Sequence, residues 1–478
     1  MLLRFFALAL AFCGAVAGQV PFTVRGPGVN AADFRMTVFV TGIDYVLGMD
    51  QLSDGSILAA ITDGPSYFSG NGRLVRFVDA NVDGVADGPG QTLFTGLQGG
   101  LTSVRIAGNL VFVTGQKKPI TILRLGKTPD APLTMVGKIN FAYPTGGWLH
   151  PHSALAARGL PTGAIRYELA LQLGSRENFV ATPATTKVDI SSAEVVNASA
   201  TLQGDSIYRL TLVETQQTVM VEEVTKIADG LRNPAGFLFH PTTGDFYFED
   251  NGIDGLVDAN EPTSADELNV IRAADFGGDV EHFGFPQNYI EYRTGRFVGG
   301  EGIAPLVAFQ PLPNPADGEE SEGPNDIAFA PAGFPDAINT GIFVGFHGKF
   351  GSAGTQNEEN ALVYVDLRDN SYFHFISSAV AGVGHLDGLL TTKDSLFVSD
   401  LSKNGGYSAS GAGVIYQIKS LVGPRLYFQW VNGAVQLTWN RGYLSRSASV
   451  DGTWNGAADT SPYTIQPSGT PQFFKLRY

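Results

Sequence analysis

Short apolar runs recur along the chain, and turns rich in Gly, Pro and Asp separate them. Many of the runs alternate apolar with polar residues, a spacing that predicts β-strands. The clearest case leads from GFLFH to DFYFED, where Pro241 and Gly244 lie between two strand-forming runs. This arrangement predicts a tight hairpin.

One unit of strand, turn, second strand and third strand occurs six times between about residues 20 and 420. The six copies begin at MDQLSDGS, LTSVRIAG, HSALAARG, GFLFHPTT, NDIAFAPA and LDGLLTTK. A single unit would expose an apolar face, and radial stacking buries such faces while protecting strand edges. We therefore expect an all-β chain in which residues 20–420 form a six-bladed β-propeller. Insertions at 176–206 and 254–322 are expected to form loops that carry function.

The pattern changes after Ser420, where residues 424–478 alternate in period two with Gly and Asn turns. This spacing predicts a small C-terminal β-sandwich. Trp430, Trp439 and Trp454 lie within it. Core packing is their expected role, with a carbohydrate platform as the alternative.

Composition and charge exclude several classes of partner. The 59 Gly and 32 Phe fit a turn-rich β protein, and a chain of 478 residues can bury a large core. A formal net charge of -15 without a basic run argues against nucleic acid. Apart from the N-terminus, no apolar run is long enough to span a bilayer.

The first 17 residues have the features of a secretory signal peptide. Arg4 precedes an apolar stretch, and Ala15-Val16-Ala17 forms a small-residue cleavage site. We expect a secreted or periplasmic protein. Cys13, the single cysteine, lies inside this segment, so the mature chain would have neither disulfides nor thiol chemistry.

Equivalent positions of a propeller repeat converge on its axis, so residues just before the first strand of each unit are expected to meet at one end. Most of these positions are polar. They are Met49 with Asp50, Gln98 with Gly99 and Gly100, His150, Arg232 with Asn233, Pro324 with Asn325, and His385.

Four submotifs in this order, GLRNPAGFLF, EDNGID, DELNVI and FGFP, resemble the propeller dehydrogenases that use pyrroloquinoline quinone (PQQ), the soluble glucose, aldose-sugar and sorbosone dehydrogenase-like family. The resemblance implies oxidation of a small sugar, with PQQ and calcium as cofactors. It does not identify the electron acceptor.

The resemblance also assigns roles to individual residues. His150, in a pattern that matches HxxxxL of the family, would be the general base, with His152 as its nearest rival. Arg232 and Asn233 match the pair that contacts the quinone, and a guanidinium suits a carboxylate. The alternative for Arg232 is an ion pair with Asp229 or Asp250. Gln98, Lys349 and His385 are the further expected cofactor contacts.

Calcium is expected near EDNG and DELN, where the resemblance places Asn251, Gly252, Asp254, Asp266 and Glu267. Carboxylate and carbonyl oxygens are the ligands that calcium prefers. A separate stretch, DANVDGVAD, has the alternating oxygen donors of a calcium loop but lacks a glutamate at the twelfth position. An ordinary acidic turn is the alternative there.

One departure from the family keeps two other functions open. Where relatives have arginines at the start of the last inner strand, this chain has His385 and Asp387. The loss of positive charge favours a propeller that binds glycan or protein without turnover. A calcium-dependent lactonase is the third possibility, since Asn233, Asn325, Asp50 and Asp387 offer oxygen ligands for a cage at the axis.

Overall fold

The computed structural model describes most of the chain. The described residues are 19–161, 165–215, 218–257, 261–408, 410–423, 426–439, 442–458, 460–467 and 470–477. The expected signal peptide at 1–17, with Cys13, lies outside them.

The described residues form 35 strands and three short 3-10 helices, Ala31–Asp33, Asp336–Ile338 and Gly354–Gln356. The strands up to residue 229 are β1 (Phe34–Ile43), β2 (Tyr45–Gln51), β3 (Ile57–Asp63), β4 (Asn71–Phe77), β5 (Gln91–Gln98), β6 (Leu101–Ala107), β7 (Leu110–Gly115), β8 (Ile120–Arg124), β9 (Thr134–Ala142), β10 (Leu155–Leu160), β11 (Arg166–Leu173), β12 (Lys187–Ser191), β13 (Ala200–Gln203), β14 (Ser206–Glu214) and β15 (Val219–Asp229). Those up to residue 420 are β16 (Pro234–Phe239), β17 (Phe246–Asp250), β18 (Asp266–Ile271), β19 (Glu281–His282), β20 (Tyr289–Ile290), β21 (Phe297–Val298), β22 (Val307–Phe309), β23 (Pro324–Phe329), β24 (Ile342–Phe346), β25 (Leu362–Asp366), β26 (Ser371–Ile376), β27 (Gly388–Thr391), β28 (Ser395–Asp400) and β29 (Gly413–Ser420). The last six are β30 (Leu426–Val431), β31 (Ala434–Trp439), β32 (Tyr443–Ser447), β33 (Asn455–Ala458), β34 (Tyr463–Ile465) and β35 (Phe473–Arg477).

The expectation of an all-β chain is confirmed. Within the described ranges, six sheets of four to six strands follow one another between residues 34 and 420. In chain order they are β2–β5, β6–β9 with β12 and β13, β10, β11, β14 and β15 with β19, β16–β18 with β22, β23–β26, and β27–β29 with β1. We number them first to sixth. No helix in the described part is long and apolar enough to cross a membrane.

The sheets are arranged in a ring. The first strand of each sheet contacts the first strand of the next, in the order β2, β6, β10, β16, β23 and β27, and β27 contacts β2 again. The ring is closed by the N-terminal strand β1, which pairs antiparallel with β29 from Phe34 opposite Ser420 to Ile43 opposite Gly413. Apolar clusters fill the spaces between neighbouring sheets.

The hairpin expected around Pro241 is present as β16 and β17, which pair antiparallel. Gly244 in its turn has a φ of 76°, a left-handed conformation that glycine adopts without a steric penalty. Phe246 and Phe248 of β17 are fully buried against Phe237. The alternation of the motif therefore places its aromatic side chains in the core and its polar ends at the strand termini.

A buried ion pair joins opposite sides of the ring. Arg105 of β6, in the second sheet, pairs with Asp326 of β23, in the fifth sheet, at 2.9 Å, and both side chains are largely buried. Asp50 of β2 is partly buried nearby and accepts a hydrogen bond from the Ile106 N–H at 2.6 Å. The centre of the ring therefore contains polar side chains that are ion-paired or hydrogen-bonded.

The C-terminal residues form two three-stranded sheets, β30-β31-β34 and β33-β32-β35. They share an apolar cluster that includes Leu437, Trp439 and Leu444. Trp439 is buried, as expected for a core residue, whereas Trp430 on the edge strand β30 is 64% exposed. Trp454 lies under the Lys475 ammonium, 4.1 Å from its ring.

Candidate functional site

A cavity of about 420 Å³, lined by both polar and apolar side chains, lies at one end of the ring, and we call it the axial cavity. It is lined at the starts of four first strands by His150, Asn233, Asn325 and Asp387. The structure therefore brings together side chains that are far apart in sequence, one from each of the third to sixth sheets.

His150 is held in one proton arrangement by its neighbours. Its Nδ1 lies 2.8 Å from Ser175 Oγ, and that hydroxyl donates to the Glu177 carbonyl at 2.6 Å. The hydroxyl must therefore accept from Nδ1–H, which leaves Nε2 with a lone pair. Nε2 has no hydrogen-bond partner among the described residues. Burial, and then the nearby Arg232 charge, lower the pKa of His150 to about 2, so the imidazole is neutral.

Gly174 allows the loops around His150 to approach each other. A Cβ at this position would lie 2.6 Å from the Arg232 carbonyl oxygen and 2.9 Å from the His150 Cβ. The Ser175 N–H donates to the same Arg232 carbonyl at 2.6 Å. Any larger residue would push these loops apart and move the imidazole.

His152, the rival for the base, is fully engaged elsewhere. Its Nδ1 lies 2.7 Å from the Tyr143 hydroxyl, and its Nε2 lies 2.6 Å from the Lys118 carbonyl oxygen. Its ring stacks on Phe141 at 3.6 Å. Both ring nitrogens of His152 are hydrogen-bonded, so His152 has a structural role. Of the two histidines, His150 is the one with a ring nitrogen free to act as a base.

Arg232 does not line the axial cavity. Its side chain is 3% exposed, and its guanidinium pairs with Asp254 at 2.6 Å and donates to Asn178 Oδ1 at 2.8 Å and to the Asn251 carbonyl at 3.2 Å. Asp250, one of its expected ion-pair partners, instead accepts from the Arg232 and Asn233 backbone N–H groups. The ion-pair partner of the guanidinium is thus Asp254. The positive charge of Arg232 stabilises the surrounding loops and does not face the axial cavity.

The other expected cofactor contacts are dispersed. Gln98 is an exposed residue at the end of β5, the outermost strand of the first sheet. Lys349 pairs with Glu358 at 2.8 Å and with Glu359 at 3.5 Å. His385 is fully buried, and its Nδ1 faces the His347 carbonyl at 2.7 Å. None of the three is among the residues that line the cavity.

Asn233 and Asn325 do line the cavity. The Asn325 amide donates to the Asp387 carbonyl at 3.2 Å, whereas the Asn233 side chain makes no hydrogen bond to the described part of the chain. Asp50 is partly buried in the centre of the ring and lies outside the cavity lining. The four-residue cage expected for a calcium-dependent lactonase is therefore not assembled.

A chain of hydrogen bonds that the repeat did not predict forms another part of the cavity wall. His347 follows β24, and its Nδ1 lies 2.5 Å from Asp387 Oδ2, while its Nε2 contacts the Tyr407 hydroxyl. The His347 ring also stacks on His385 at 3.8 Å. Gly345 permits this packing, because a Cβ there would lie 2.4 Å from the Leu386 carbonyl oxygen. The sequence signal that could have pointed to His347 is its place in FHGKFG, two residues before Lys349, which was expected to contact the cofactor.

Aromatic rings form the mouth of the cavity on the same side. Phe350 stacks on Tyr407 with centroids 4.3 Å apart, and Phe68 packs against Tyr407 at 5.3 Å. Phe350 is 72% exposed and Phe68 is 44% exposed. Exposed, stacked rings at the entrance of the axial cavity offer a flat apolar surface to a ligand.

The expected calcium ligands do not converge. Asp266 and Glu267 are neighbours on β18 and point to opposite faces of the sheet, so their carboxylates cannot share one ion. Asp266 accepts from the Gly252 N–H at 2.6 Å and from the Gly323 N–H at 2.8 Å. Asp254 pairs with Arg232. The expected calcium ligands Asp254 and Asp266 therefore hold neighbouring loops together through an ion pair and hydrogen bonds.

A different group of carboxylates comes together nearby. Oxygens of Glu320, Glu322 and Glu359 lie within 4.8 Å of one another. Glu322 Oε1 is buried without a hydrogen-bond partner among the described residues. Hard oxygen donors of this kind fit calcium, but Glu320 already pairs with Arg293, and Glu359 lies 3.5 Å from the Lys349 ammonium. The cluster is therefore a candidate calcium site whose charge is partly neutralised by the chain.

The acidic stretch DANVDGVAD forms a self-bonded turn. The Asp79 carboxylate accepts from the N–H groups of Asp83 at 3.0 Å and Gly84 at 2.8 Å, and Asp87 accepts from the Ala80 N–H at 2.7 Å. These carboxylates are used to hold the loop, in agreement with the alternative of an ordinary acidic turn.

Comparison with known sequences gives little. No protein-family model matches the chain. An uncharacterized protein of Borreliella burgdorferi is 50% identical to it over 60 residues, which is 13% of this chain and 14% of that protein.

Comparison with solved structures identifies the fold. The holo PQQ domain of pyranose dehydrogenase from Coprinopsis cinerea has a TM-score of 0.51 and 13% identity, covering 84% of this chain and 98% of that one. The calcium structure of a Trichoderma reesei carbohydrate-active enzyme of family AA12 has a TM-score of 0.50 and 16% identity, covering 84% and 99%. A glucose dehydrogenase has a TM-score of 0.50 and 15% identity, covering 81% and 100%. The chain therefore has the propeller-like fold of the soluble sugar dehydrogenases. More particularly, it resembles those that use PQQ, as the four submotifs implied.

The residues around the axial cavity do not fit PQQ itself. The quinone carries three carboxylates, which call for charged donors, yet the described residues that line the cavity include no Lys or Arg. Arg232 and Lys349 are held by carboxylates of the chain. Asp387, at the position where the resemblance led us to expect an arginine, also lines the cavity. We therefore derive no step through the quinone.

Proposed function

We propose that the protein binds a neutral sugar in the axial cavity and presents His150 as the base for one sugar hydroxyl. The observation that carries the proposal is the free Nε2 of His150 in a cavity with carboxamides on its wall and stacked rings at its mouth. Amides donate to and accept from hydroxyl groups, and aromatic rings pack against the apolar face of a sugar ring.

Two functions use such a site. Oxidation of the sugar, in a protein related to quinoprotein dehydrogenases, is favoured by the fold and by the free nitrogen of His150. Recognition without turnover is favoured by the missing cations on the cavity wall. Since the wall is uncharged apart from carboxylates, sugar binding is common to both functions and is the part that the geometry supports best.

The experiment is a calorimetric titration of the purified protein with a panel of neutral aldoses and the matching sugar acids, followed by addition of PQQ, calcium and a dye acceptor. Binding of neutral sugars without dye reduction supports recognition. Dye reduction that His150→Gln abolishes, while the control His282→Gln on an exposed histidine leaves it intact, supports oxidation. Failure of every sugar to bind overturns the proposal.

Three structural features belong with this proposal. The chain forms a six-bladed propeller followed by a small β-sandwich, which the six successive sheets and the two C-terminal sheets support. Calcium binds at Glu320, Glu322 and Glu359, which their convergence supports. Export follows from the signal at 1–17, and N-terminal sequencing of the mature protein tests it.

A further inference from the structure

The hydrogen-bonded chain Asp387, His347 and Tyr407 has no role in the function proposed above. The three residues come from separate places. Asp387 immediately precedes β27, His347 immediately follows β24, and Tyr407 lies in the segment between β28 and β29. All three line the axial cavity together with His150. His150 belongs to the third sheet and Tyr407 to the sixth, three places apart in the ring, so a ligand in the cavity lies between them.

The hydrogen-bonded residues Asp387, His347 and Tyr407 can share their protons in two ways. In one, Asp387 is ionised and accepts from His347 Nδ1–H, and the Tyr407 hydroxyl donates to Nε2. In the other, Asp387 is protonated and donates to Nδ1, so Nε2–H donates to the Tyr407 oxygen and the phenol proton is free for a ligand. The two states differ by a concerted shift of protons along the chain.

Burial favours the second state. Asp387 is fully buried, its Oδ1 has no hydrogen-bond partner among the described residues, and burial raises its pKa to about 8. Burial lowers the pKa of His347 to about 4. At neutral pH the carboxyl therefore keeps its proton, and the imidazole is neutral.

We propose that the axial cavity hydrolyses a sugar lactone, with His150 as the base for the attacking water and Tyr407 as the acid for the leaving oxygen. The proposal rests on the proposed function, because the lactone is a neutral sugar ring held by the same wall. His347 and Asp387 act through Tyr407 and are positioning residues. Nothing in the step requires an oxidant or a metal ion.

The step is balanced in atoms and protons. The water oxygen bonds to the lactone carbonyl carbon while His150 Nε2 takes a water proton, and the tetrahedral adduct forms. The bond from that carbon to the ring oxygen then breaks, and the ring oxygen takes the Tyr407 proton. Tyr407 recovers a proton from His347 Nε2, and His347 recovers one from Asp387. His150 releases its proton to solvent and Asp387 takes one up, so water and lactone give the hydroxy acid.

The charge of the cavity suits this reaction. The substrate is neutral, and the product carries a carboxylate at neutral pH. The described lining residues include Asp254 and Asp387 but no Lys or Arg. Asp254 is paired with Arg232, but Asp387 has lost its proton by the end of the step, so its negative charge disfavours the anionic product and favours its release.

The experiment measures hydrolysis of a 1,4-lactone of an aldonic acid by pH-stat at pH 6.5, in the presence of EDTA. We expect turnover above the buffer rate. Tyr407→Phe keeps the ring stack, and we expect it to lower kcat by about 10²- to 10⁴-fold while sugar binding is retained. His150→Gln should give a loss of the same order. Tyr289→Phe, outside the cavity, is the matched control, and thermal melts check that each variant folds.

His347→Gln tests the relay. A loss of kcat with unchanged KM, and a changed pH profile of kcat, supports the positioning role, because a purely structural residue would not alter the pH profile. Sugar binding without lactone hydrolysis overturns this inference and leaves the proposed function standing. Hydrolysis at the wild-type rate by Tyr407→Phe overturns the assignment of the acid. If no sugar and no lactone binds, both proposals fail.

Discussion

His150 shows how neighbouring groups decide what one side chain can do. Ser175 fixes the proton on Nδ1, and burial keeps the ring neutral. The position of His150 was predictable, because it lies just before a first strand of the repeat. The engagement of Arg232 was not, because its partners Asn178 and Asp254 lie in two separate insertions that the repeat does not describe.

A first prediction concerns the charge of His150. Because burial lowers its pKa to about 2, the imidazole should stay neutral from pH 8 down to pH 5. Its ring carbon and proton resonances, assigned by comparison with His150→Gln, should not shift over that range in NMR spectra. A titration midpoint between pH 5 and 8 would contradict the burial argument.

A second prediction concerns Glu249. This residue is fully buried, both carboxyl oxygens lack hydrogen-bond partners among the described residues, and burial raises its pKa well above the ordinary value. The folded protein therefore holds a proton that the unfolded chain has lost. Its stabilising contribution is complete below the unfolded pKa and is lost as pH rises toward the folded pKa.

Glu249→Gln should flatten that dependence. Between pH 5 and 8 the free energy of unfolding of the wild type should fall more steeply than that of the variant, by up to about 1.4 kcal/mol per pH unit. Urea unfolding at pH 5, 6.5 and 8 measures this slope. Glu301→Gln, on an exposed glutamate, should leave it unchanged, and parallel slopes for Glu249→Gln and the wild type would refute the assignment.

At the scale of strands, the ion pair of Arg105 and Asp326 ties β6 to β23 through the centre of the ring. Alternation of apolar and polar residues predicted both strands. It did not predict the pair, because the two residues are 221 positions apart and meet only when the ring closes. The residues His347 and Tyr407 escaped prediction for a similar reason, since they follow second strands instead of preceding first ones.

The third prediction is that breaking this pair is costly. Arg105→Met leaves Asp326 buried without its cation and should destabilise the protein by about 3–5 kcal/mol. Adding Asp326→Asn should restore part of that loss, since it removes the uncompensated buried charge, and the amide oxygen can still accept from the Ile327 N–H that now donates to Oδ1. Urea unfolding of both variants measures the difference. Arg296→Met removes a solvent-exposed pair and should cost less than about 1 kcal/mol.

At the scale of the whole molecule, the ring and the C-terminal sheets have separate apolar cores. The sixth sheet ends with β29 at Ser420, and the cluster around Trp439 contains residues from 426 onward. The change in spacing after Ser420 predicts a domain boundary there, because each part has its own alternation and its own turns, and the separate apolar clusters are consistent with that prediction.

A fourth prediction follows for the C-terminal residues. A chain that ends at residue 420 should fold with the circular dichroism spectrum of a β protein and a melting temperature close to that of the full chain. A chain that lacks β1 should instead melt at a lower temperature, because β29 loses its partner along the whole strand. Similar melting temperatures for the two truncated chains would contradict this account of the ring.

The pairing of β1 with β29 also sets the order of events during biosynthesis. Strand β1 is synthesised before the other strands but forms its hydrogen bonds last, because its partner at 413–420 is synthesised only at the end of the sixth sheet. Until then a nascent chain carries two unpaired strand edges, and the edge at one end of any unfinished copy is complementary to the edge at the other end of another copy. Crowded refolding therefore favours strand-exchanged oligomers, and dilution favours the closed monomer.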